Sequence, residues 1–201
     1  MIAGLLILLA LVQVRQPYPD VAPLHHLPTL ALLIAAPFLL RRWPLSTASV
    51  ACIAVFLALH TIGGRYTYSN VPYDDWFAAL SGHPRNMYDR FVHFAYGLLA
   101  VRPAFELARR HSAAGKRFAL AAAIGSVIVF SAFYEILEWL LTLILAGPLA
   151  DDYNGQQGDM WDAQKDMALA LGGALIGAAI VRLRAYRTNS GAGSTGRLGA
   201  G

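Results

Sequence analysis

Apolar runs close to the length of a bilayer crossing recur along this chain, and no other feature narrows its fold as far. A helix needs about 20 mostly apolar residues to span the hydrocarbon core. Four runs approach that length: 45–62 (LSTASVACIAVFLALHTI), 91–108 (FVHFAYGLLAVRPAFELA), 118–142 (FALAAAIGSVIVFSAFYEILEWLLT) and 163–181 (AQKDMALALGGALIGAAIV). Two shorter ones, 2–14 and 24–40, bring the total to six, with Pro28 and Pro37 read as capping the ends of the second. The run 2–14 lacks a basic lead and a small-residue cleavage site, so it reads as a helix and not as a removable signal. With 57% hydrophobic and only 14% charged residues among 201, a soluble domain is excluded. The single cysteine, Cys52, excludes an intramolecular disulfide framework and a cysteine zinc motif.

The net charge of +4 does not indicate nucleic acid, because the basic residues sit beside the apolar runs instead of forming one patch. They alternate along the chain. Arg41 and Arg42, then Arg102, Arg109, Arg110, Lys116 and Arg117, then Arg182, Arg184 and Arg187 mark cytoplasmic ends. Segments 63–90 and 146–162 carry Asp74, Asp75, Asp89, Asp151, Asp152, Asp159 and Asp162 against only Arg65, Arg85 and Arg90, and are expected to face outward. Trp76, Tyr88, Trp139, Tyr153 and Trp161 fall where an outer aromatic belt would lie, with core filling as the alternative for Trp139, and Trp43 falls at an inner belt. The fold expected is all-α: a polytopic bundle of about six transmembrane helices in a bacterial inner membrane, both termini cytoplasmic. Residues 1–187 form one helical domain, and the Gly/Ser-rich tail 188–201 is expected to be disordered.

Ionisable groups inside spans are expensive in a bilayer and therefore face a bundle interior or an aqueous cavity. Under this topology they gather in one outer layer: His60 on the third span, Asp89, Arg90 and His93 on the fourth, Glu135 and Glu138 on the fifth, and Asp159, Asp162 and Asp166 on the sixth. Helical spacing puts Asp89 with His93 on one face. It likewise aligns Ser131, Glu135, Glu138 and Thr142, and aligns Asp162 and Asp166 with Ala170, Gly173 and Gly177. The acids are thus expected to point inward.

Carboxylates gathered in a low-dielectric site repel unless protonated or compensated, and a divalent cation compensates several at once. The expected metal ligands are His60, His93, Glu135, Glu138, Asp162 and Asp166, with Zn²⁺, Mn²⁺, Fe²⁺, Mg²⁺ and Ca²⁺ all left open. If the ion is catalytic, its bound water could attack an envelope lipid, with Glu135 or Glu138 as general base; whether the protein is an enzyme stays open. A structural alternative has Arg90 and Lys165 neutralising Glu135, Glu138 and Asp166, so that salt bridges alone pin four helices. Two further alternatives are a scaffold that recognises a membrane-protein partner or a second copy through the Gly173/Gly177 face, and a transporter or proton-coupled channel. The second needs the polar layer to continue to the inner face, where the third and sixth spans carry only Ser46, Thr47 and Ser49 before the arginines, and no internal repeat supports it. His25, His26, His83 and His111 read as surface or interfacial, Asp74, Asp75, Asp151 and Asp152 as solvated loop acids, Tyr66 and Tyr68 as interface residues, and Gly63–Gly64 as a helix-end turn.

Four blocks of the sequence, HTIGGRYTYSNVPYDDW at 60–76, RNMYDRFVHFAYG at 85–97, YEILEW at 134–139 and GDMWDAQKDMALALGGALIG at 158–177, resemble the motif blocks of the YjdF-like family of bacterial inner-membrane proteins, in order and in spacing. The resemblance covers roughly 20–181. It implies a polytopic inner-membrane protein and supplies no catalytic residues. The last block is more loosely similar to the acidic entry of the terminal helix in VanZ-like membrane proteins, which implies a link to the cell envelope.

Overall fold

A computed structural model of the chain describes residues 1–72, 85–113, 115–145 and 155–194, with side chains to residue 184. The described residues form six helices and no strand: α1 (Ile2–Leu11), α2 (Ala22–Arg42), α3 (Thr47–Arg65), α4 (Tyr88–His111), α5 (Lys116–Ile144) and α6 (Asp162–Ser194). α2, α3, α5 and residues Asp162–Arg184 of α6 are long and apolar enough to cross a membrane. α4 has the length, at 24 residues, but carries more charge, and α1 has only 10 residues, about half a crossing. The chain is an all-helical, multi-pass membrane protein. The backbone stays helical to Ser194, and the rest of the 188–201 tail lies outside the described residues, as do Asp74, Asp75, Trp76, His83, Asp151, Asp152 and Tyr153.

α4 is the hub, packing on α3, α5 and above all α6, while α1, α2 and α3 form a second group joined to it through α3. In lipid, association between helices rests on close van der Waals packing, which favours small residues. A Cβ added to Gly97 of α4 would sit 1.9 Å from the carbonyl oxygen of Ala170 on α6. One added to Gly173 would sit 2.1 Å from that of Phe94, and one on Gly177 2.6 Å from that of Leu98. The two backbones touch along this seam, flanked by buried Val101, Ala123, Val127, Ala170 and Ala174. The Gly173/Gly177 face expected to recognise a partner protein is therefore occupied within the chain. A tethered α4 meets it before any separate molecule can.

One detail differs from the sequence expectation. Pro28 and Pro37 lie inside α2, not at its ends. Their rings delete amide donors without ending the helix, as bilayer helices tolerate when neighbouring groups re-satisfy the backbone. At the opposite end of the bundle from the acid layer, Ser46 caps α3, and Glu106 of α4 reaches across to it. The Glu106 carboxylate accepts hydrogen bonds from the Ser46 amide (2.8 Å), the Ser46 hydroxyl (2.7 Å) and the Ser49 hydroxyl (2.5 Å). An acid at a helix N-terminus meets both free amides and the positive end of the helix dipole, so this contact locks α3 to α4.

Candidate metal centre

The acid layer lies where α3 and α5 end and α4 and α6 begin. Two short segments organise it. Gln157, held at φ +49°, pairs its side-chain amide with the backbone of Asn86 in both directions, donating to the carbonyl (3.1 Å) and accepting from the amide (2.8 Å). Asn86 in turn donates to the Val71 carbonyl (3.0 Å) and accepts from the Tyr88 amide (3.0 Å), which fixes the start of α4. These contacts bring residues 155–159 over the α4 N-terminus, so the described parts of the two acidic segments 63–90 and 146–162 meet above the site.

The layer divides into two tiers. In the upper tier every acid has a cation. Arg85 meets Asp162 at 2.5 Å, Arg90 meets Asp159 at 2.5 Å and Asp162 at 3.5 Å, and Lys165 meets Asp159 at 2.6 Å. Hydrogen bonds from Lys165, the Trp161 amide and Arg90 lower the Asp159 carboxyl to about 2, well below the ordinary carboxylate value. The lower tier holds Asp89 and His93 of α4, Glu135 and Glu138 of α5 and Asp166 of α6, and none of these acids pairs with a lysine or arginine among the described residues. The pairs expected in the structural alternative are thus corrected, although a salt-bridge network does tie α4 to α6. Arg90 and Lys165 neutralise Asp159 and Asp162, because both cations enter from the α4 and α6 N-termini and meet those carboxylates first.

Within the lower tier, one ligand atom each from Asp89, His93 and Asp166 lies within 4.8 Å of the others, and all three side chains are buried. His93 Nε2 stands 3.6 Å from Asp89 Oδ1 and 3.6 Å from Glu135 Oε1. Asp166, 2% exposed, leaves Oδ1 buried with no hydrogen-bond partner, and Glu135 Oε1 is buried in the same condition. Glu138, also buried, accepts a hydrogen bond from Tyr134. Charge-bearing oxygens in this state ask for a proton or a cation.

Of the six sequence-derived ligands, His93 and Asp166 fall in the cluster and Glu135 adjoins it. Glu138 stands one turn further along α5, and Asp162 belongs to the paired upper tier. His60 is elsewhere. Its Nε2 meets the His25 carbonyl at 3.2 Å and its Nδ1 closely meets the Tyr68 hydroxyl, so both ring nitrogens are engaged. Asp89, placed in the layer but not among the ligands, completes the triad.

Sequence reasoning also misplaced the histidines of α2. His25 and His26 are buried, not interfacial, because Gly64 leaves room for them. A Cβ on Gly64 would sit 2.7 Å from that of His25, and one on Gly63 2.5 Å from the Tyr68 ring. The glycines thus lie in the last turn of α3 and serve packing. His26 meets the Gln13 amide at 2.7 Å and the Thr61 carbonyl at 3.2 Å. Thr67 and Tyr68 take left-handed backbone (φ +49° and +57°), a conformation that costs about 1–3 kcal/mol each in a non-glycine residue, and it turns Tyr68 back onto His60. Tyr68 is buried, as is Tyr88, which donates to the Leu59 carbonyl at 2.9 Å instead of joining an aromatic belt. Trp139 and Trp161 are exposed. Non-glycine residues at positive φ cannot be read from sequence, but the Gly63–Gly64 pair was a usable signal for close packing.

Two cavities reach the lower tier. One of about 260 Å³ between α5 and α6 is lined by Glu135, Glu138, Thr142, Gln156 and Asp162. The other, about 410 Å³, is lined by residues of α2, α3, α4 and α5, among them Asp89 and His93.

Residues 1–187 match the family described as "Predicted membrane protein (DUF2238)". The chain is similar to "Inner membrane protein YjdF" of Escherichia coli (strain K12), at 38% identity over 136 residues, which is 67% of this chain and 65% of that relative. The match thus spans just under two thirds of the relative's length. No solved structure matches.

Proposed function

We propose that this chain, which belongs to the DUF2238 family of predicted membrane proteins, binds a divalent metal ion between Asp89, His93 and Asp166, with Glu135 at the edge of the ligand set. The observation that carries this reading is the contrast of compensation. Arg85, Arg90 and Lys165 make their ion pairs with Asp159 and Asp162, and the arginines reach the buried acids beneath only at longer range. Among the described residues the one basic side chain in direct reach of those acids is the His93 imidazole. One nitrogen with two or three carboxylate oxygens suits Zn²⁺, Mn²⁺ or Fe²⁺ better than Mg²⁺ or Ca²⁺, whose usual ligands are all oxygen. The ion reaches the cluster through the polar cavity lined by Glu135 and Glu138. The alternation of basic residues supports placing this cavity on the outer face, with both termini inside.

Such an ion would make a bound water more acidic, and Glu135, buried beside the triad with one oxygen unpartnered, is the group suited to take its proton. A conduction role has less support. Below the cluster stand Val101, Ala123, Val127 and Ala174, and at the far end the half-buried Glu106 carboxylate is already bound to Ser46 and the buried Ser49. Elemental analysis of protein purified without chelator tests the metal reading. It expects about one ion per chain, lost in His93→Ala and in Asp166→Ala. Native protein that is metal-free and takes up neither added Mn²⁺ nor added Zn²⁺ removes it.

A further inference from the structure

The larger cavity approaches the same cluster from the lipid side. Its walls are α2, α3, α4 and α5, and α2 and α5 make no contact with each other, so the space between them is a lateral slot. Leu32 on one lip is 41% exposed and Phe130 on the other 65% exposed. In a multi-pass membrane protein, side chains exposed at this level of the bundle face acyl chains, so the slot opens to the bilayer. Its lining is graded. Tyr68, His60, Asp89 and His93 stand at the acid layer, and Leu32, Phe56, Leu57 and Phe130 lie deeper. From Asp89 to Tyr96 the lining descends seven residues of α4, about 10 Å toward the bilayer middle. At about 410 Å³ the space falls in the usual ligand range of roughly 300–1,000 Å³. One more group marks it as a built site. Ser131, 2% exposed, lines the cavity with its hydroxyl buried and without a hydrogen-bond partner.

From this grading we infer that the slot takes a membrane amphiphile, which enters between α2 and α5 from the adjacent leaflet. Its hydrocarbon chain lies against Leu32, Phe56 and Phe130, and its oxyanion head lies between His60–Tyr68 and the His93 cluster. An apolar, bilayer-facing slot selects a hydrocarbon chain over water. The head must be anionic to satisfy an ion held by Asp89, His93 and Asp166, and compact to fit beside Tyr68. The head assignment rests on the metal reading above, whereas the chain assignment rests on the slot alone.

The test is native mass spectrometry of the full chain in detergent micelles. The probes are oleoyl lysophosphatidic acid, oleate and inorganic phosphate, each with Mn²⁺ or with chelator. The comparison proteins are Ser131→Leu, which fills the slot beside the unpartnered hydroxyl, and Phe130→Trp at the lip, which gives the same readout should Ser131→Leu not fold. The expected result is retention of one lysophosphatidic acid per chain, at least tenfold weaker in the filled variant at unchanged Mn²⁺ content, and weaker still for free phosphate. Oleate in place of lysophosphatidic acid as the better-held probe keeps the slot and changes the head to a carboxylate. Equal retention of both lipids by native and filled proteins overturns the inference while leaving the metal site standing. Native protein that binds no Mn²⁺ but holds either lipid in a slot-dependent way overturns the metal reading and leaves the chain assignment.

Discussion

The two tiers of the acid layer use the same residue types to opposite effect. Above, Asp159 and Asp162 are held by Arg85, Arg90 and Lys165, and the contacts tie α4 to α6. Below, Asp89, Asp166 and Glu135 crowd around one histidine, with Glu138 a turn further along α5. A buried ion pair that compensates itself is a fastening, since its charges are satisfied before anything else arrives. Buried carboxylates left to repel one another hold unfavourable energy that a ligand can release. The difference separates what the fold needs from what it offers.

The largest effect expected reaches both tiers at once. Gly97→Leu drives a side chain into the Ala170 carbonyl, so the α4–α6 seam must open. A loss beyond the roughly 1–3 kcal/mol of an ordinary overpacked core is expected, read as loss of folded protein in a detergent thermal melt. Unchanged melting would mean that the seam is not where the helices meet.

Next comes Arg85→Ala. It strips Asp162 of its nearest partner in a largely buried pair, and removing one member of such a pair costs about 3–5 kcal/mol. Metal content measured in the same preparation should hold wherever the variant folds, because the lower tier keeps its ligands.

Asp166→Asn should do the reverse. With chelator present it should melt no lower than the native chain, since it removes one of several crowded charges. The native chain should gain about 2.7 kcal/mol from Mn²⁺ at one hundred times its dissociation constant, and the variant should lose most of that gain. A variant that melts lower in chelator and gains as much from Mn²⁺ would show that Asp166 is a fastening like its neighbours above.

The exposed edge of the upper tier should matter least. Lys165 is 49% exposed, so Lys165→Ala should change stability by no more than about 1 kcal/mol. Asp159 supplies a sign to check by acid titration. Its carboxyl is lowered from 3.8 to about 2 in the folded chain, so its contribution is complete above the unfolded value and is lost as pH falls through the folded one. The acid side of the stability curve should therefore steepen toward pH 2, and Lys165→Ala should move that loss to higher pH.

How much of this was legible in advance follows from what hydropathy encodes. Apolar length located all six helices, and three- and four-residue spacing turned Asp89, His93, Glu135 and Asp166 inward. Depth placed His60 in the same layer, yet depth carries no azimuth, and around the bundle His60 faces Tyr68 and His25 instead of the cluster. Charge partners were misassigned for a related reason. Which arginine meets which aspartate depends on how the 155–159 segment docks on Asn86, and Gln157, the residue that fixes it, has no hydropathy signature. The glycine seam was read correctly as a close-packing stripe. Its partner was not, because small-residue spacing tells how near two helices come without telling which two.

That seam also sets limits on the neighbouring chemistry. Asp89 and His93 ride on one of the touching helices and Asp166 on the other, only a turn or so above the point of contact. Main chain pressed on main chain cannot dilate by a rotamer change, so the backbone spacing beneath imidazole and carboxylate is fixed and only their own side-chain torsions can adjust the gap. Were an ion bound there, as proposed, its ligands would stand on backbones that cannot move apart, and a variant meant for a larger cation would have to change its glycines as well as its ligands.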